Sequence, residues 1–205
     1  MEEKELNSNK VGTLLLTLRK EKGMTQKQVG EVLHVSDKAI SKWERGLGCP
    51  DISLLSELAS LFEVNIEQIL AGDLKVNSIE AGNLKQIKFY VCPNCNNVIN
   101  STGEGDISCC GRKLGPLAAN SPDTMHTPEI EVSEGEYYIT FQHDMSKTHF
   151  ISFVAYVVSE RILLVKLYPE QSPAVRIPIF SGGRLKQKFG GNLYYYCTEH
   201  GLWVI

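Results

Sequence analysis

Along residues 9 to 72 apolar side chains recur at helical spacing, whereas from about residue 126 they alternate or cluster in short β-rich runs. Val11, Leu14, Leu15 and Leu18 fall on one face of a first helix, and Gly23 supplies the left-handed stop that ends it. Thr25 opens a second helix through Gln26 and Gln28, with Val29 and Val32 as its apolar stripe. Ser36 caps the next segment, DKAISKWERG, which Gly46 closes. Asp51 after Pro50 opens a fourth helix carrying Leu54, Leu55, Leu58 and Leu61, and Asn65 caps a fifth that ends near Leu70. Five short helices predict one compact bundle.

From Gly72 to about Lys88 periodicity weakens and the chain reads as a linker with at most one helical turn. RKLGPLAANSPDT, with its prolines and small residues, is a second connection. Beyond it TPEIEV, EYYITFQ, HFISFVAYVV, RILLVKLYP, AVRIPIF, NLYYYCT and LWVI read as strands, bounded by Ser133-Glu134-Gly135, Pro173 and Gly182-Gly183. About seven short strands predict an immunoglobulin-like β-sandwich. The fold class is therefore multidomain, α plus β, with expected boundaries at 1–72 for the helical domain, 73–87 for the linker, 88–118 for a small cysteine module and 119–205 for the sandwich.

The net charge is -3, 42% of residues are hydrophobic, and no apolar run approaches a membrane span, so no membrane partner is expected. The start MEEKELNSNK is acidic and polar where a secretory signal is basic and then apolar, which predicts a cytoplasmic protein. In that reducing compartment clustered cysteines are metal ligands more often than disulfides. Four of the six cysteines, Cys92, Cys95, Cys109 and Cys110, form one tight group, while Cys49 and Cys197 stand alone.

LRKEKGMTQKQVGEVLHVSDKAISKWERG and the following PD resemble the helix-turn-helix domain of phage-repressor-like regulators. That resemblance implies a third helix lying in the major groove of double-stranded DNA and a second helix whose start touches phosphate. Gln26 is then the phosphate contact, and Ser36, Asp37, Lys38, Ser41 and Lys42 are the groove-facing positions, with Ile40 and Trp43 turned inward. Residues 1–75 carry ten Lys and Arg against twelve Asp and Glu, so the expected binding is weak, dimer-dependent and salt-sensitive.

In KFYVCPNCNNVINSTGEGDISCCGRKLGPL a CxxC pair is followed fourteen residues later by adjacent cysteines, and four thiolates suit one tetrahedral zinc or iron ion. The segment resembles desulforedoxin and the N-terminal domain of desulfoferrodoxin, which implies iron on Cys92, Cys95, Cys109 and Cys110; a structural zinc site is the alternative. Further on, HTPEIE, HDMSKTH and CTEHGLW resemble the ligand motifs of superoxide reductase. By that resemblance His126, His143, His149 and His200 supply four imidazole nitrogens in a plane around iron, Cys197 supplies an axial thiolate, and the sixth position stays open.

Four positions depart from the family. Superoxide reductases commonly carry a Glu-Lys pair before the first ligand histidine, the lysine to attract the anion and the glutamate to cap the ferric site; Thr124 and Met125 stand here. Asp144 replaces the proline after the second histidine, and Thr198 the asparagine after the cysteine. Two readings follow. One is a transcriptional regulator whose iron centres sense superoxide or redox state, acting as a homodimer. The other is a working superoxide reductase that carries a DNA-binding domain and needs an electron-donor protein.

Overall fold

The computed structural model describes residues 7–77, 84–180 and 191–205, so the acidic start, part of the linker and the Gly182-Gly183 turn signal lie outside the described residues. The chain forms two compact units, Met1–Val76 and Asn77–Ile205. Among the described residues no helix is long and apolar enough to cross a membrane.

In the first unit the first three helices begin where a side chain satisfies a free backbone N–H, whereas Asn65, expected to cap the fifth, makes no side-chain cap bond there. Asn7 accepts from the Lys10 N–H to start α1 (Ser8–Glu21). Thr25 and Gln28 cap each other's backbone at the head of α2 (Gln26–Val32), and Ser36 Oγ accepts from Ala39 N at the head of α3 (Asp37–Glu44). Two further details differ from the sequence reading. Val32 is half exposed and the adjacent Leu33 goes inward instead, because the seven-residue α2 turns its buried face through Val29 and Leu33. Asp51 does start a helical segment, but its carboxylate binds both N and Oγ of Ser53, and the first turn, Ile52–Leu54, is a tighter 3-10 turn before α4 (Leu55–Phe62). Helix α5 (Ile66–Ala71) ends at Gly72, whose φ of 69° is left-handed. Val11, Leu14, Leu15, Leu18, Ile40, Trp43, Leu58 and Ile69 belong to the core. Gly12 lets α1 approach α3 closely, since a Cβ there would lie 2.3 Å from the Trp43 carbonyl oxygen.

The second unit begins with two hairpins, β1 (Lys88–Val91) with β2 (Val98–Ser101) and β3 (Ile107–Cys109) with β4 (Arg112–Leu114). After the short β5 (Ala119–Asn120) come β6 (Glu129–Ser133), β7 (Glu136–Thr140), β8 (Ile151–Val158), β9 (Arg161–Lys166), β10 (Ala174–Pro178), β11 (Asn192–Cys197) and β12 (Gly201–Val204). They build two sheets, ordered β10-β7-β6 and β5-β12-β11-β8-β9, antiparallel except for β5 beside β12. Tyr137, Ile139 and Ile177 of the first sheet meet Val154, Tyr156, Leu193 and Tyr195 of the second in one core, which makes the region a β-sandwich.

Strand β8 is buried at every position. Val154, Tyr156 and Val158 face the sandwich core, while Phe153, Ala155 and Val157 on the other face pack with Phe89 of β1 and Leu202 of β12. That two-sided burial explains why HFISFVAYVV reads as an unbroken apolar run rather than an alternating one. It also ties the cysteine hairpins to the sandwich through one shared apolar layer.

Candidate metal centres and nucleic-acid interface

β1 delivers Cys92 into a knuckle closed by hydrogen bonds from Asn96 N to the Cys92 carbonyl (2.9 Å) and from Cys92 N to the Asn97 carbonyl (3.0 Å), with Asn96 left-handed at φ 52°. Cys109 ends β3, and Cys110 follows in the left-handed region at φ 51°. That strained backbone lets neighbouring side chains bend toward one point, the feature that adjacent cysteines require. The four sulfurs all lie within 4.8 Å of one another, with Cys95 and Cys109 3.6 Å apart. Backbone N–H donation, led by Asn94, lowers the Cys92 thiol to about 7. The Cys95, Cys92 and Cys109 sulfurs push Cys110 up to about 12. As thiolates, four sulfurs this close would need a cation among them to offset their mutual repulsion. Cys92 is buried and Cys95 and Cys110 are exposed, while Lys166 Nζ donates to the Asn96 carbonyl at 2.9 Å and anchors the knuckle to β9.

The histidines converge from three loops. His126 sits in the turn before β6, His143 and His149 lie between β7 and β8, and Cys197 and His200 stand at the β11–β12 turn. Around the ring formed by His126, His143, His149 and His200, successive imidazole centroids are 5.3, 4.6, 4.8 and 4.8 Å apart, with His143 and His200 at opposite corners 6.5 Å apart. The ligand atoms of His126, His143, Cys197 and His200 lie mutually within 4.8 Å, and His149 groups with His200 and Glu199 within the same limit. The His200 Nδ1 is 3.0 Å from His126 Nε2 and 3.4 Å from Cys197 Sγ, so this ring presents Nδ1 to the centre.

Nε2 of His143 and of His149 are buried with no hydrogen-bond partner among the described residues. Buried polar atoms are nearly always satisfied, so two orphaned lone pairs facing a shared centre, beside a thiol and two further imidazole nitrogens, fit a transition-metal ion. Burial lowers the pKa of His143, which keeps its imidazole neutral and able to donate. Burial raises that of Cys197, against donation from the N–H groups of His200 and Glu199.

The supporting roles of several side chains escaped the sequence reading. Asp123 Oδ1 accepts from His126 Nδ1 at 2.7 Å and from the N–H groups of His126 (2.8 Å) and Met125 (3.0 Å); the His126 bond holds this carboxyl below its usual pKa. Trp203 stacks on the His126 ring at 4.2 Å, and Tyr195 donates its hydroxyl to the His126 carbonyl at 2.6 Å. Thr198 Oγ1 donates to the Thr148 carbonyl and accepts from Phe150 N, stapling the His149 loop to the end of β11. The Asp144 carbonyl lies 2.5 Å from His143 Nδ1, and its carboxylate 3.9 Å from His149 Nδ1. An Asp three residues before a histidine was the one legible signal among these. Thr124, Met125 and Lys147 are all exposed.

On the helical unit, Asp37, Lys38 and Lys42 project from α3 into solvent, and Ser41 is half-buried. Ser36 serves as the cap of α3, and Asp37 Oδ1 accepts from Lys38 N. Gln26 differs from a free surface residue, because its amide donates to Glu44 Oε2 at 2.8 Å. Glu44 in turn receives Arg19 of α1.

Residues 15–69 match the helix-turn-helix family. The chain is 40% identical over 80 residues to the HTH-type transcriptional activator BcrR of Enterococcus faecalis, a stretch that covers 38% of this chain and 39% of the activator. It is 25% identical over 127 residues to a desulfoferrodoxin of Syntrophotalea carbinolica, covering 58% of this chain and 95% of that protein. The superoxide reductase of Treponema pallidum superposes with a TM-score of 0.48 at 18% identity, covering 58% of this chain and 96% of its own.

Proposed function

We propose that this chain, in which a helix-turn-helix domain precedes a region homologous to desulfoferrodoxin, is a DNA-binding transcriptional regulator whose metal centres respond to superoxide or redox state. The observation that carries the reading is the ring of four imidazoles with two orphaned Nε2 atoms on the same chain as a helix-turn-helix domain. His126, His143, His149, His200 and Cys197 would hold one iron, and Cys92, Cys95, Cys109 and Cys110 a second iron or a zinc ion.

Iron in the histidine site supplies a one-electron couple, and superoxide that gains one electron and two protons becomes hydrogen peroxide. The chain's own residues do the rest. Asp123 and the Asp144 carbonyl hold protons on Nδ1 of His126 and His143 and so leave Nε2 of both rings free to bind. Trp203 and the aromatic core behind it exclude water from the His126 side. The exposed His200 edge admits a small anion. On the DNA, Ser36, Asp37, Lys38, Ser41 and Lys42 would face the major groove and Gln26 the backbone, in a homodimer spanning two half-sites.

The test is the affinity of the full chain for a duplex selected from a random pool, compared in reduced, oxidised and iron-stripped protein. Affinity that follows the iron state supports the sensor; equal affinity in all three states overturns it. The exposed edge of the site favours a second reading, superoxide reduction with electrons from a donor protein, whose test is the rate of superoxide loss.

A further inference from the structure

The four imidazoles are not held alike. His143 is backed through Nδ1 by the neutral carbonyl of Asp144, and His200 turns its own Nδ1 toward the centre. The Asp144 carboxylate stays 3.9 Å from His149, beyond hydrogen-bond reach. His126 alone of the four has a carboxylate oxygen within hydrogen-bond distance of its outer nitrogen among the described residues, Asp123 Oδ1 at 2.7 Å. The same oxygen accepts from the N–H groups of Met125 and His126, and the Asp123 carbonyl accepts from Thr127 Oγ1 at 2.5 Å, so one residue organises the whole turn. Trp203 covers the ring face and His126 is only 3% exposed.

We propose that Asp123 is a positioning residue that fixes His126 as the preset corner of the metal site and, by placing an anion behind that ring, makes it the strongest imidazole donor of the four. The inference rests on the iron-centre reading above. A carboxylate hydrogen-bonded to the outer nitrogen of a ligating histidine fixes its tautomer and orientation and raises its basicity. Added electron density favours the ferric over the ferrous state. With Oδ1 committed to three donors, Asp123 is a clamp for the ligand and not a substitute for the capping glutamate whose position Thr124 occupies.

The experiment compares the full chain with Asp123→Ala and Asp123→Asn after anaerobic loading with ferrous iron. The readouts are iron affinity by chelator competition, the thiolate-to-ferric charge-transfer band and the midpoint potential of the histidine site. Asp123→Ala, which removes both acceptor and charge, is expected to weaken iron binding about 10- to 100-fold. Asp123→Asn keeps an acceptor and loses the charge; its affinity is expected to stay nearer the parent's while the potential moves positive and the band shifts. Thermal melting of the metal-free proteins separates misfolding from loss of affinity, and if the alanine variant fails to fold, the asparagine variant decides alone. Unchanged band and potential in Asp123→Asn, or unchanged affinity and band in Asp123→Ala, overturn the role of Asp123 while leaving the iron centre standing. A parent chain that develops no such band overturns the iron-centre reading and this inference together.

Discussion

Arg19 grips both carboxylate oxygens of Glu44, Nε to Oε1 at 2.5 Å and Nη2 to Oε2 at 3.0 Å, with only 13% and 4% of the two side chains exposed. The pair locks α1 to the end of α3, and the Gln26 amide on α2 shares the same acceptor. Arg19→Met would leave Glu44 buried without its cation, a loss expected to destabilise the helical unit by about 3 kcal/mol. Urea unfolding of the full chain checks this, because Trp43 reports on the helical unit and Trp203 on the sandwich.

Acid should act on the same pair. Burial alone would raise the Glu44 pKa, but hydrogen bonds from Arg19 and Gln26 outweigh it and the net shift is downward. A carboxyl whose folded pKa lies below its unfolded value of about 4.3 adds stability that is complete above that pH and is lost as pH falls through the folded value. Glu44→Gln is expected to flatten the acid limb of the Trp43 transition below about pH 4.3 and leave the Trp203 transition where it was.

DNA binding should depend on two exposed lysines of α3. Lys38→Ala and Lys42→Ala are each expected to lower the slope of log affinity against log salt by about 1 if they contact phosphate. A slope unchanged from the parent, with sequence preference relaxed, would place them on base edges instead. Gln26→Ala is expected to lower stability as well as affinity, since its amide already has a partner in the free protein.

Local signals in the chain foretold much of this arrangement. Thr25 with Gln28, Ser36 and the CxxC knuckle act over three or four residues, so their partners can be read from spacing. The ligand candidates were legible in the same way, in short motifs that the fold gathers into two clusters. Their supports were not. Trp203 meets His126, and Thr198 reaches Thr148, only after the strands pair, and no periodicity records contacts between residues so far apart in the chain. The parallel pairing of β5 with β12 was hidden for another reason, since two residues are too few to show a pattern.

Superoxide chemistry should be limited by charge at the mouth of the site. With Met125 in place, the reduced, iron-loaded chain is expected to consume superoxide about tenfold more slowly than the variant Met125→Lys, because a lysine there supplies electrostatic steering of the anion. Stopped-flow decay of superoxide measures both rates, and His149→Ala should abolish either.

The join between cysteine hairpins and sandwich is also testable. Phe89, 1% exposed, packs against Phe153 at 5.4 Å and Tyr194 at 5.1 Å between ring centroids. Phe89→Ala is expected to cost about 3 to 5 kcal/mol. If the hairpins and the sandwich unfold as one body, calorimetry will show a single shifted transition for this unit; two separated transitions would refute that.

Strand β8, clad in side chains on both faces and hydrogen-bonded to β9 and β11 along both edges, has no surface from which solvent can begin to open it. Its amide hydrogens are expected to exchange only when the whole unit unfolds. The loop holding His143 and His149 hangs from one end of this strand, and Cys197 lies across from Ile151 at that same end. A metal could therefore enter or leave by rearranging loops while the frame that returns them to register stays shut.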